Sequence, residues 1–242
     1  MLSFEIEKVC DMSEKINFDT SLGEFAAQYP QVRDILENYE LDYCCGGTKN
    51  IKIAAQEKNI DLLHFETLLQ KIIEEAPHTQ KNKKWADESL VDIVNHIQST
   101  HHVLAWEKLA SIKTVLGMLI QVHGEKHGDF LQSLDNIFED LKTKLEKHLK
   151  MEEDIVFAYV RTPDEISGCT KELLSELQSE HQETADILTN IKSFTSNYEL
   201  PDYACASFAK LYADLETLTD DLHVHIHLEN TVLFPRLEKQ LN

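Results

Sequence analysis

The chain has 242 residues, room for one or two domains and for a core that needs no disulfide or metal staple. Its 43 acidic residues against 23 basic ones give a formal charge of −20, which disfavours nucleic acids and anionic membrane surfaces as partners. Seven glycines and five prolines are too few for a chain of many tight β-turns, so an all-α fold is expected. The one basic run, Lys81 to Lys84, is short. No stretch approaches ~20 uncharged apolar residues; the most apolar one, Val103 to Val122, carries Glu107, Lys108 and Lys113. The opening MLSFEIEKVCDMSE lacks the basic start of a signal peptide. Five cysteines do not suggest a disulfide framework, so a soluble protein of the reducing cytoplasm is expected.

Short helical patterns come first. One spans Leu22 to Gln28, and Pro30 opens another through Val32, Ile35 and Leu36; proline suits a first turn, where its missing N–H costs nothing. Asp42-Tyr43-Cys44-Cys45-Gly46-Gly47 ends in a glycine pair that marks a tight turn. Helical pattern resumes at Ile51 to Lys58 and from Asp61 through Phe65, Leu69 and Ile72. Pro77 and the polar run Thr79 to Lys84 mark a boundary. A small helical N-terminal domain over 14–76, a linker over 77–88 and a second domain over 89–242 are therefore expected. The second domain shows four long amphipathic patterns, near 89–122, 128–160, 168–196 and 203–240, which predict an antiparallel four-helix bundle.

Ten of the twelve histidines follow residue 95. In the second long pattern Leu141, Leu145, His148, Glu152, Ile155 and Tyr159 repeat at spacings of four and three, the seam of a packed helix. In the fourth, Leu211, Leu215, Leu218, Leu222, His225, Glu229 and Val232 do the same. Each seam is broken by a His-x-x-x-Glu pair, which puts an imidazole and a carboxylate on one face a turn apart. A buried carboxylate without partners costs several kcal/mol. Protonated histidine could offset it, but a cation satisfies neutral imidazole and carboxylate together. The third pattern adds His181 among Leu174, Leu177, Leu188 and Ile191. The first adds His102, aligned with Val91, Ala105, Leu109 and Ile112, or its neighbour His101. A lone core histidine is most often hydrogen-bonded packing; two His/Glu pairs with histidines on both remaining helices predict a metal site. The inventory is too large for one tetrahedral zinc and suits a bridged pair of cations, with iron, manganese or zinc open by donor type. His123 and His127 lie between the first and second helices. His223 and His227 are expected to face away from the seam, and His96, His64 and His78 to lie apart from the site.

Cys44 and Cys45 are adjacent, which disfavours an unstrained disulfide between them. They precede a helix that Thr48 could cap, where thiolate is favoured, so they are candidate reactive thiols. Cys10, Cys169 and Cys205 read as bystanders.

Taken together and in order, these motifs resemble a known family. Asp42-Tyr43-Cys44-Cys45-Gly46-Gly47 is similar to the signature of the small N-terminal domain of the RIC proteins, for repair of iron centres. His148-Leu149-Lys150-Met151-Glu152-Glu153 and His225-Ile226-His227-Leu228-Glu229-Asn230, with Val232-Leu233-Phe234-Pro235 after the second, resemble the metal helices of their hemerythrin-like bundle. Ser179-Glu180-His181 and Val122-His123-Gly124 match two further segments. The resemblance implies a non-haem di-iron centre with Glu152 and Glu229 as bridges, His102, His148, His181 and His225 as terminal ligands, and His123 as a fifth histidine, with His101 and His127 as alternatives. It implies repair of iron–sulfur clusters damaged by nitric oxide or oxidants, by a centre that supplies iron and with Cys44 and Cys45 as redox or iron-transfer thiols, with damaged iron–sulfur proteins as clients and a homodimer by analogy. Nitric oxide reduction at the di-iron pair, or reversible sensing of oxygen or nitric oxide, are the rival activities.

Overall fold

The computed structural model describes residues 16–76, 83–164 and 167–241. Cys10, His78 and Lys81 lie outside them. Among the described residues the chain is helical, with one isolated bridge pairing Ser21 and Asn50. No helix among them is long and apolar enough to cross a membrane.

Four short helices come first: α1 (Leu22–Gln28), α2 (Arg33–Asn38), α3 (Ile51–Glu57) and α4 (Leu62–Glu75). Ser21 and Glu24 form a reciprocal capping box on α1. Asn50, not Thr48, caps α3, and Asp61 caps α4. Phe25, Leu36, Tyr43, Ile51, Phe65 and Leu69 bury into one core that also takes Ile226 from the last long helix. The 42–47 loop folds back on α1, where the Gly23 N–H donates to Gly47 O at 2.8 Å. A Cβ on Gly47 would lie 2.6 Å from Tyr43 O, so the loop closes only with glycine there.

The rest is the bundle. Its first segment joins α5 (Leu90–His96), a π-helical turn (Ile97–His102) and the start of α6 (Val103–Met151). His127, at φ −131° and ψ 19°, breaks α6 into two helices. The chain turns there, with Gly124 still inside the helix. The second segment continues through a π-helical turn (Glu152–Phe157) into α7 (Ala158–Arg161). The third is α8 (Lys171–Phe194), capped by Thr170. The fourth joins α9 (Ala206–Leu228), a π-helical turn (Glu229–Leu233) and α10 (Phe234–Gln240). Pairings run antiparallel between neighbours: Lys113 with Asp135 and Glu139, Lys144 with Glu183, and Lys108 with Asp214.

The π-turns change which residues face inward. A π-turn is wider than an α-turn and shifts the register of the residues after it. Beyond Glu152 the buried residues are Val156 and Phe157, while the seam positions Ile155 and Tyr159 are half-buried. In the first segment Val91 is exposed, Ile93, Val94 and Ile97 are buried, and both His101 and His102 turn inward.

Asp214 is a polar brace within this packing. It accepts from Lys108 at 2.7 Å, Ser111 at 2.7 Å and Lys210 at 2.6 Å. Burial raises its carboxyl, but these donors outweigh that and hold it at about 2. A depressed acid stabilises the fold above its unfolded pKa and loses that contribution as pH falls through the folded one. Asp214→Asn should therefore cost about 1–2 kcal/mol at pH 7. In urea titrations the gap to wild type should close between about pH 4 and pH 2.

Candidate metal centre

The cluster forms where three π-turns meet the third helix. His102 ends the first turn, Glu152 begins the second and Glu229 begins the third. His148 and His225 stand four residues before the two glutamates on the same faces, and His181 enters from α8. All six are buried, the two glutamates completely. Phe157 packs on the His102 ring and Phe234 stacks on the His181 ring, and the buried Leu145, Leu177 and Leu222 stand about one turn before His148, His181 and His225.

The contacts divide the ligand atoms into two sets. Glu152 Oε1 is 3.1 Å from His148 Nε2, whereas its Oε2 is 3.4 Å from His102 Nε2. Glu229 Oε2 is 3.1 Å from His181 Nε2, and its Oε1 is 3.1 Å from His225 Nε2. Each carboxylate thus spans the site and offers one oxygen to each side. His148, His181 and the two glutamates form one group whose ligand atoms lie within 4.8 Å of one another; His102, His225 and the same glutamates form the other.

The buried polar atoms fit cations. His148 Nδ1 donates to Glu180 Oε2 at 2.8 Å, and His181 Nδ1 donates to Asn230 Oδ1 at 2.9 Å. With Nδ1 donating, the Nε2 of each ring in its neutral form is an acceptor, and the two Nε2 atoms face each other at 2.9 Å. That is repulsive unless a positive charge lies between them. Both oxygens of Glu152 and of Glu229, with the Nε2 atoms of His102 and His225, are buried without a hydrogen-bond partner among the described residues. Orphaned buried acceptors of this number are costly, and a cation satisfies them all. The set of imidazole and carboxylate, with no thiolate, suits iron, manganese or zinc.

Without a cation, protons take over this role. Burial pulls His148 and His181 down, but Glu152 with Glu180 for His148, and Glu152 with Glu229 for His181, more than offset it and leave them at about 9 and about 10. Burial raises Glu152 and Glu229, but the histidines outweigh it and hold both below the usual carboxylate range.

His123 is not brought to this cluster. It lies 21 residues beyond His102 on the same helix, about 30 Å at the α-helical rise. There its Nε2 is 3.6 Å from Cys205 Sγ and its ring packs on Phe208. His127 stacks on Tyr203 at the same turn. His101 is buried beside the cluster, its Nδ1 donating to Asp221 at 2.9 Å and its ring parallel to His225.

His227 is also buried, contrary to its expected outward position. The face turned from the bundle core is covered by the first four helices: His227 Nδ1 donates to Tyr43 O at 3.2 Å, with the two rings edge to face. The same contact brings the cysteines to the site's wall. Asn230, which orients His181, donates from Nδ2 to Cys44 O at 3.2 Å. Cys45 Sγ lies 3.6 Å from His181 O and 3.8 Å from Cys44 Sγ. Neither thiol sits at a helix start. Cys44 is held well above the usual thiol range by its bond with Cys45, by burial and by Asp42, so the expected thiolate is not favoured there.

His102 Nδ1 likewise donates to Glu153 Oε1 at 2.7 Å. The seam pattern does not single out the orienting residues Glu153, Glu180 and Asn230, although each stands one residue from a candidate ligand, next to Glu152, His181 and Glu229 respectively. A polar residue beside a buried ligand was the available signal.

Two family profiles match the chain. The hemerythrin HHE cation binding domain covers residues 110–237, and the ScdA N-terminal domain, described as of unknown function, covers residues 18–73. The probable iron–sulfur cluster repair protein of Haemophilus influenzae is 31% identical over 216 residues, 89% of this chain and 95% of that protein. The iron–sulfur cluster repair protein YtfE of Escherichia coli O157:H7 is 32% identical over 218 residues, 90% of this chain and 96% of that protein.

Proposed function

The chain belongs to the family of iron–sulfur cluster repair proteins built on a hemerythrin-type bundle, and from this we propose that it repairs iron–sulfur clusters damaged by nitrosative or oxidative stress by supplying iron from a two-iron store. The reading is carried by the two carboxylates that each offer one oxygen to each half of the site. His102, His148, His181 and His225 complete two sets of two nitrogens and two oxygens. Ferrous iron sits near the weak end of the divalent series, so a nitrogen and oxygen site holds it reversibly. Were iron to leave, His148 and His181 would take up protons and keep the buried carboxylates paired. The empty site would thus keep its charges compensated, at a cost in stability, as a donor requires.

The cysteine loop is the element that engages the client. It lies against the wall of the site, at His181 and Asn230, and Cys45 is partly exposed. The clients are iron–sulfur proteins with damaged clusters.

The test is recovery of an iron–sulfur enzyme inactivated by nitric oxide, with sulfide and reductant present. Iron-loaded wild type should restore it, and Glu152→Ala/Glu229→Ala should not. Cys44→Ser/Cys45→Ser should keep its iron and lose most of the repair. Equal recovery with the carboxylate variant would overturn the donor reading; full repair by the cysteine variant would remove the loop from it.

A further inference from the structure

The four histidines are not held alike. His148 has Glu180 behind it, His181 has Asn230, and His102 Nδ1 donates to Glu153 Oε1 at 2.7 Å. His225 Nδ1 is buried with no hydrogen-bond partner among the described residues. A partner behind a ligating imidazole fixes its tautomer and ring and raises its basicity; losing one costs about 10–100-fold in metal affinity. One half of the site, His148 with His181, therefore has both rings oriented. The other, His102 with His225, has one.

A second asymmetry lies on the same side. His101 Nε2 and Asp221 Oδ2 are buried without partners. The His101 ring is parallel to that of His225 at 5.6 Å, and Asp221 is one turn before His225 on α9. A nitrogen and an oxygen with open positions thus stand beside His225, whereas the groups behind His148 and His181, Glu180 and Asn230, are bonded to the rings themselves. Asn230 is itself anchored to Cys44 O, so the cysteine loop steadies the well-oriented half.

We propose that the two positions are unequal: the iron held by His102 and His225 is the labile one, given up first to the client, and the iron held by His148 and His181 is retained. This rests on the two-iron donor reading. It assigns His225 as the release ligand, with His101 and Asp221 as the donors that ease departure.

The experiment is anaerobic release of ferrous iron from the loaded full chain to a chromophoric chelator. Wild type should release two equal amplitudes, with rates separated by about tenfold or more. His225→Ala should load one equivalent and keep only the slow phase. His101→Phe should slow the fast phase and leave the slow one alone. Asn230→Ala, which removes no ligand, should speed only the slow phase. Should His225→Ala keep the fast phase and lose the slow one, or should wild type release both equivalents in one phase, the ranking is overturned while the two-iron store stands. Wild type that loads one equivalent or none overturns both.

Discussion

Glu152→Ala alone should strip the protein of both metal ions, whereas His225→Ala should strip it of one. The contrast is geometric in origin. Glu152 turns one oxygen to His148 and the other to His102, so its removal takes a ligand from each half. It also leaves Glu229 as the sole buried carboxylate among four imidazoles, which favours neutral rings and weak binding at both positions. His225 faces one half only. Metal content of the purified variants checks this, with circular dichroism to confirm that the bundle persists. If Glu152→Ala kept half of the metal, the carboxylate would not be a bridge.

Stripping the metal by chelation should lower Tm substantially and reverse the pH dependence of stability near the site. A bound ion with free metal a thousandfold above its Kd contributes about 4 kcal/mol, on the order of 10 °C per site in a chain of this length. In the stripped protein, His148 and His181 are raised to about 9 and about 10. A histidine raised above its unfolded value stabilises fully below about pH 6.5 and loses that contribution as pH rises through the folded value. The stripped protein should therefore lose Tm between pH 7 and pH 10. The loaded protein should hold its Tm over that range and lose metal in acid, where protons compete for the ligands. Calorimetry of both forms across pH checks the sign. A stripped protein as stable as the loaded one, with no fall toward pH 10, would mean that the buried charges are not there for a cation.

The helices and the centre of the site are legible in sequence because one regularity encodes both. A seam of fours and threes names the buried face, and His148, Glu152, His225 and Glu229 interrupt it in pairs. The illegible parts have local causes. The π-turns at Ile97–His102, Glu152–Phe157 and Glu229–Leu233 break the α-helical period at the ligands, so counting does not give the inward faces of Val156, Phe157 and His101. His227 lies where an isolated helix would face water, and the docking of the 42–47 loop, with Tyr43 against its ring, covers it. His123 entered by similarity of a short motif, which says nothing of distance along the bundle. The hydrogen bonds from His102, His148 and His181 to Glu153, Glu180 and Asn230 join residues 32–51 apart in the chain, and no pattern in one helix encodes them.

The central claim is a bridged pair of irons, and elemental analysis tests it most directly. The protein would be purified without chelator or metal-affinity tag, and its metals counted per chain. The account predicts about two irons per chain, as carboxylate-bridged sites in helical bundles hold. A chain with no metal, a single ion, or zinc in place of iron would contradict it.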